Sequence, residues 1–305
     1  MNEKPTPVPD EPTPAPRWFT TARLPGPLDS PTPAVQVEVD FGARSRKGPQ
    51  RFVNEDHYLV LRLGRHQETL LTSLPNHSMP QRFDEFAYGM MVADGMGPNG
   101  ETASRVAITT LVHLMVYFGK WNLRIDEPIA EEVMDRAERF YRGVDSALVQ
   151  AGRSGHLGLE STLTAAASAG NELFFAHVGH SRVYLCRDGQ LLRLTHDHTF
   201  EPDGTPNVDE QAPSRDMHHG LTNAIGKPST GGPRIDVERV GLLDGDTVLV
   251  CTNGLTDSID EDRIAAVLGR GGSADDHSRT LVDLAIAAGG EDDVTALIAR
   301  YRIPS

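Results

Sequence analysis

Four short segments of this sequence place oxygen-bearing side chains beside apolar runs, and their spacing suits the binding of a hard cation. Val92-Ala93-Asp94-Gly95-Met96-Gly97 puts Asp94 at the end of an apolar stretch, next to glycines that allow close backbone approach. Thr252-Asn253-Gly254 repeats the arrangement after an apolar run, and Gly289-Gly290-Glu291-Asp292-Asp293 leads into another. Asn54-Glu55-Asp56 precedes a further one, with Arg51 three positions before Asn54. A lone Asp-Gly is an ordinary turn. Several strand-end carboxylates in one domain are a different matter, because Mg²⁺ and Mn²⁺ take oxygen ligands and keep several waters, so few protein groups suffice.

The elements that must hold these groups alternate in type. Strands are predicted at 35–41, 57–63, 86–93, 161–168, 173–178, 182–187, 190–194, 236–240, 247–252 and 294–302. Helices are predicted at 101–118, 128–151, 261–268 and 275–288, the second opening on Pro128. Arg187-Asp188-Gly189-Gln190 is a hairpin signal, since Asp-Gly supplies the positive φ of a tight turn. The segments 64–85 and 200–220 are polar and read as loops, the latter carrying His218 and His219 as solvated side chains. Hairpin-linked strands with helices in two pairs predict an α+β fold of antiparallel sheets flanked by helices. Residues 111–118 read as core.

Composition narrows the class. The 305 residues carry 43 acidic and 29 basic side chains, a formal charge of −14, with no basic stripe of the kind nucleic acid requires. Cys186 and Cys251 each lie in an apolar strand-like run and are expected as reduced core thiols. About half of the 21 prolines fall in residues 1–33, which predicts a disordered proline-rich tail ahead of a domain at 34–305. No charged region followed by an apolar stretch opens the chain, and no apolar run reaches bilayer length, so a cytoplasmic location is expected.

The motifs carry a resemblance. Gly48-Pro49-Gln50-Arg51-Phe52-Val53-Asn54-Glu55-Asp56, the Asp94 segment with Gly100-Glu101-Thr102-Ala103-Ser104, and Ser161-Thr162-Leu163-Thr164-Ala165 resemble successive motifs of bacterial metal-dependent protein phosphatases of type 2C. Val178-Gly179-His180-Ser181-Arg182, Leu194-Thr195-His196-Asp197-His198, Leu221-Thr222-Asn223-Ala224-Ile225-Gly226, Thr252-Asn253-Gly254 and Asp292-Asp293-Val294-Thr295 continue the series in the same order. The resemblance implies a four-layer α-β-β-α sandwich with metals in a cleft between the sheet edges. It implies hydrolysis of phosphoserine and phosphothreonine by a water activated between two divalent metals, Mn²⁺ or Mg²⁺. Asp94 would bridge the metals, Gly95 would offer its carbonyl, Glu55 would hold a metal-bound water, Asp292 and Asn253 would ligate the second metal, and Arg51 would grip the substrate phosphate. The implied partners are phosphorylated proteins and a Ser/Thr kinase, with no nucleic acid, no membrane and a monomeric state.

The chain also departs from that pattern. His180 and Asn253 stand where the family carries aspartate, Asp293 where asparagine is usual, and Met96 where many eukaryotic relatives have a histidine. Asn253 keeps an oxygen but lacks a charge, so weaker binding of the second metal is expected. His180 reads as a surface histidine, Arg182 as a structural ion-pair partner and Asp56 as a strand-start hydrogen bonder. These departures define an alternative: a phosphatase-fold protein with little catalysis that binds phosphoproteins or serves as a scaffold. A kinase-like nucleotide binder is disfavoured, because no phosphate-cradling glycine loop with its lysine is present.

Overall fold

A computed structural model describes residues 37–75, 82–120, 125–155, 158–199, 220–228 and 231–304. The predicted tail at 1–33, the histidines 218 and 219, and nearly all of the 200–220 loop lie outside the described residues. One five-stranded sheet runs in the order β1 (Glu38–Arg46), β11 (Val294–Arg302), β10 (Thr247–Cys251), β7 (Arg182–Arg187), β8 (Gln190–Arg193). The other runs β2 (Asp56–Glu68), β3 (Arg82–Met96), β5 (Leu163–Ala169), β6 (Glu172–Val178), β9 (Asp236–Gly241), with the short β4 (Glu160–Ser161) against the end of β3. Every pairing is antiparallel. Helices α1 (Gly100–Phe118) and α2 (Glu127–Gly155) cover the second sheet, while the short α3 (Asn253–Thr256), α4 (Glu261–Leu268) and α5 (Ala274–Ala287) belong with the first.

The pleat explains why the central strands read as unbroken apolar runs. Met90 and Val92 of β3 point into the layer between the sheets, whereas Met91 and Ala93 point to α1 and α2. Val248 and Val250 of β10 join that same inner layer, and Leu249 and Cys251 face α4 and α5. Both faces of each central strand are therefore buried, and alternation is lost to the eye because both targets are apolar. Cys186 and Cys251 are buried and unpaired. The Asp188-Gly189 turn takes φ of 50° and 76°, as a two-residue hairpin needs. Helix α5 begins with a reciprocal cap between Ser273 and Asp276.

Three boundaries differ from expectation. β2 and β3 run to Glu68 and back from Arg82, well into the stretch read as a 64–85 loop. Much of this extension is exposed, so it carries no apolar signature. β1 begins at Glu38 and continues to Arg46 rather than ending at Phe41. The end of α1 is not core: Val116, Tyr117 and Phe118 are exposed. Among the described residues no helix is long and apolar enough to cross a membrane.

Candidate metal centre

The carboxylates gather where β2, β3 and β11 meet. Asp56 opens β2 and stands opposite Asp94 near the end of β3, so the two acids share one place in the antiparallel register. Asp292 and Asp293 immediately precede β11. Arg51 lies on the β1–β2 connection, where its guanidinium donates to Glu55 Oε2 at 2.5 Å and also to Asp292 Oδ1. Asp293 fastens that connection to β11: Oδ1 accepts from Gly48 N at 2.8 Å and Oδ2 from Glu55 N at 2.7 Å. Its side chain is thus committed to the loop carrying Arg51 and Glu55.

Close backbone packing completes the corner. A Cβ on Gly95 would fall 1.8 Å from the Gly100 carbonyl oxygen, so only glycine allows the start of α1 to lie against the end of β3. Gly95 N in turn donates to the Glu55 carbonyl at 3.2 Å. Ser104 of α1 donates to the Glu55 carbonyl as well, at 2.5 Å. The Asp94 carbonyl accepts from Thr162 N (2.8 Å) and Ser161 Oγ (2.9 Å), which fixes the main chain beneath the carboxylate.

The electrostatics of this corner favour a cation. Burial raises Asp94 well above the ordinary carboxylate range, and the charges of Asp56 and Asp292 add to the effect against the pull of Arg51. Burial likewise raises Glu55, partly offset by Arg51. Asp56 is pushed to about 7 by burial, despite hydroxyl donors from Thr295 (2.7 Å) and Thr252 (2.8 Å). Its other oxygen, Oδ1, is buried without a partner. Among the described residues no donor reaches the Asp94 carboxylate. Glu55 and Asp292 lean on Arg51, and no three His, Cys, Asp or Glu side chains among the described residues close on one point as a finished cage. The acids present offer oxygen ligands, and the Asp94 carboxylate and Asp56 Oδ1 have no donor of their own, which fits a hard divalent ion.

The second half of the predicted site is built differently. Asn253 opens α3, and its amide donates to Asp257 Oδ2 at 3.1 Å. His180 is not a surface histidine: it is 6% exposed, with Nε2 3.3 Å from Asp197 Oδ2 and 4.0 Å from Asp257 Oδ1. Arg182 grips Asp197 through Nε (3.0 Å) and Nη2 (2.7 Å), and Arg193 reaches it at 2.5 Å. Burial would raise Asp197, but His180 and Arg182 hold it far below the usual carboxylate range. The structural reading of Arg182 is the observed one, as is that of Asp56. Sequence reasoning gave no role to Asp197, Asp257, Thr252 or Thr295; all but Asp257 lie within the motifs already quoted.

Comparison with known proteins gives this fold a family. The family model described as protein phosphatase 2C matches residues 79–282, more than half of the chain. That span holds Asp94, Gly95 and Asn253, while Arg51, Glu55 and Asp292 lie outside it. The serine/threonine protein phosphatase PstP of Mycobacterium tuberculosis is 33% identical over 219 residues, covering 69% of this chain and 40% of that protein. The chain therefore spans well under half the length of this relative. A protein of Streptococcus pyogenes described as a putative protein phosphatase 2C-type is 29% identical over 212 residues, 68% of this chain and 82% of its own. The solved catalytic domain of PstP in complex with two manganese ions superposes with a TM-score of 0.63 at 27% identity, over 87% of this chain and 99% of that one. With the α-β-β-α layers and the acidic corner in place, the chain belongs to the protein phosphatase 2C family.

Proposed function

We propose that this chain is a metal-dependent phosphatase acting on phosphoserine and phosphothreonine in proteins, with residues 34–305 as its phosphatase domain. One observation carries the reading: at the sheet edges of a protein phosphatase 2C fold, the charges of Glu55, Asp94, Asp292 and Asp293 act on the Arg51 guanidinium, with Asp56 acting on Asp94. Asp94, Asp292, the Gly95 carbonyl and the Asn253 amide oxygen are the groups that would hold two divalent ions, Mn²⁺ or Mg²⁺, with Glu55 beside them. When bound, such ions supply Lewis acidity that lowers the proton affinity of water and absorbs charge on phosphoryl oxygens. The relative solved with two manganese ions supports this choice.

The chain's own residues do the rest. The Arg51 fork, now turned to Glu55 and Asp292, matches two oxygens of a phosphate bidentately. Asp293 keeps the loop of Arg51 and Glu55 in place against β11. Asn253 contributes no charge, so the second ion binds more weakly than an aspartate would hold it. An opposite charge at about 4 Å contributes roughly 4 kcal/mol at an effective dielectric near 20, before solvent and neighbouring acids reduce it. Phosphoproteins are the substrates and a Ser/Thr kinase the source of their phosphate; a cytoplasmic monomer without nucleic-acid or membrane partners completes the proposal. Steady-state hydrolysis of p-nitrophenyl phosphate and a phosphothreonine peptide, titrated with Mn²⁺ and Mg²⁺, tests it. Metal-dependent turnover is expected; none at millimolar metal, with turnover appearing in Asn253→Asp, would assign the chain to phosphoprotein binding instead.

A further inference from the structure

The loop that carries Arg51 also carries an aromatic ring with no place in the fold. Phe52 is fully exposed, at 101%, and Val53 is 52% exposed beside it. This tip is held firmly. Gly48 N and Glu55 N both donate to Asp293, Arg51 N donates to the Gly48 carbonyl at 3.2 Å, and Asn54 Nδ2 donates to Ser45 Oγ at 2.8 Å. The Lys47 ammonium caps the carbonyls of Gly48 and Arg51. A loop tied at both ends thus presents an apolar tip to water, immediately next in sequence to the guanidinium. The side chains that Arg51 holds here, Glu55 and Asp292, are acidic, so Phe52 and Val53 are the loop's large apolar contribution.

We propose that Phe52, aided by Val53, is the specificity-determining contact for the residue flanking the phosphorylated one, and that the chain prefers a large apolar side chain there. The inference rests on the reading above that Arg51 receives the phosphate. A phosphorylated side chain held at Arg51 brings the substrate backbone across the loop. Successive residues of an extended chain advance only about 3.3–3.6 Å, so the flanking residue falls within reach of the residue next to Arg51. Burying the ring against an apolar partner removes it from water on binding, which favours that partner over a small polar one.

The test uses fluorescein-labelled phosphothreonine peptides with Leu, Ser or Asp on either side of the phosphothreonine, and the full chain with Mn²⁺. Hydrolysis gives kcat/KM, and fluorescence polarisation of the same peptides on the Asp94→Asn protein gives Kd. The Leu peptide is expected to exceed the Ser peptide by about tenfold, the range that one apolar contact confers. Phe52→Ala should remove that advantage and leave the Ser peptide within about twofold, while Phe52→Leu should keep most of it. Because Phe52 is exposed, both variants should melt with the parent, which separates specificity from folding. Equal handling of Leu and Ser, or a uniform loss in Phe52→Ala, would overturn the proposal. So would a preference for Asp, which would give the flanking residue to Lys47 of the same loop. A Leu preference in Kd without hydrolysis would leave this inference standing while the phosphatase reading fails; hydrolysis without preference would do the reverse.

Discussion

Two acidic regions hold the residues of the predicted site and its surroundings, and they resolve their charge in opposite ways. Around Asp94, carboxylates from β2, β3 and the β11 approach outnumber the guanidinium of Arg51, and burial holds the Asp94 proton more tightly than usual. Around Asp197, the protein supplies its own partners: the guanidinium groups of Arg182 and Arg193 and the His180 ring all close on one carboxylate. The first region is incomplete without a cation and the second is not. Position in a motif therefore says less than local charge balance about where an ion is needed.

The largest expected effect breaks the first region. Asp94→Asn should lower Mn²⁺-dependent hydrolysis by about 10³-fold or more. The same variant should melt higher than the parent in chelator at pH 8, because it removes a carboxylate that burial makes harder to ionise in the folded than in the unfolded chain. A parent-like rate would detach Asp94 from the chemistry. Asp197→Ala attacks the second region and should cost about 2–3 kcal/mol in urea unfolding, since it leaves the Arg182 guanidinium partly buried without its anion. Parent stability in that variant would mean the cluster is ornamental. Asn253→Asp sharpens the contrast by adding an acid on the side where His180 and Asp257 meet. It should tighten the weaker Mn²⁺ equilibrium by about tenfold in calorimetric titration, roughly 1.4 kcal/mol.

A further effect concerns pH. His177 is buried, hydrogen-bonded to Thr164 Oγ1 at 2.8 Å, with its ring tilted 44° to that of His198 at 4.9 Å. Burial, reinforced by His198, lowers it to about 3 from an ordinary 6.5. The unfolded chain binds the proton first, so stability present above pH 6.5 is lost as pH falls toward 3, by up to about 1.4 kcal/mol per unit. Asp56, raised to about 7, works in the opposite sense: its stabilising proton is lost as pH rises through the same window. The His177 contribution is therefore read as the difference between the parent and His177→Gln, followed by urea unfolding at pH 4 to 7. Parallel profiles would rule it out.

Much of the fold was legible because central strands buried on both faces leave long apolar runs, as at β3 and β10, and because Asp188-Gly189 announces its own turn. The extension of β2 and β3 was not, since a ladder exposed to solvent needs no apolar pattern. The fate of His180 was hidden for a different reason. Its burial depends on Asp197, which lies seventeen positions on and reaches it only after β7 and β8 have folded back. The exposed end of α1 misled through its composition, because Val116, Tyr117 and Phe118 read as core without a partner surface being specified. At the site, Asp94, Arg51, Glu55 and Asp292 could be named from motif order, but the tie from Asp293 to Gly48 is a long-range contact that spacing does not encode.

The two hydroxyl bonds to Asp56 also have a mechanical meaning. Asp56 opens a strand of one sheet, while Thr295 belongs to β11 of the other and Thr252 follows β10 in it. One carboxylate oxygen therefore rivets the two halves of the sandwich at the floor of the acidic corner, and Thr252 Oγ1 passes the load on by accepting from Thr295 N. A sliding motion of one sheet over the other would have to shear this rivet first. The corner and the sandwich are then one elastic body, in which any force that opens the cleft is felt at once between the sheets.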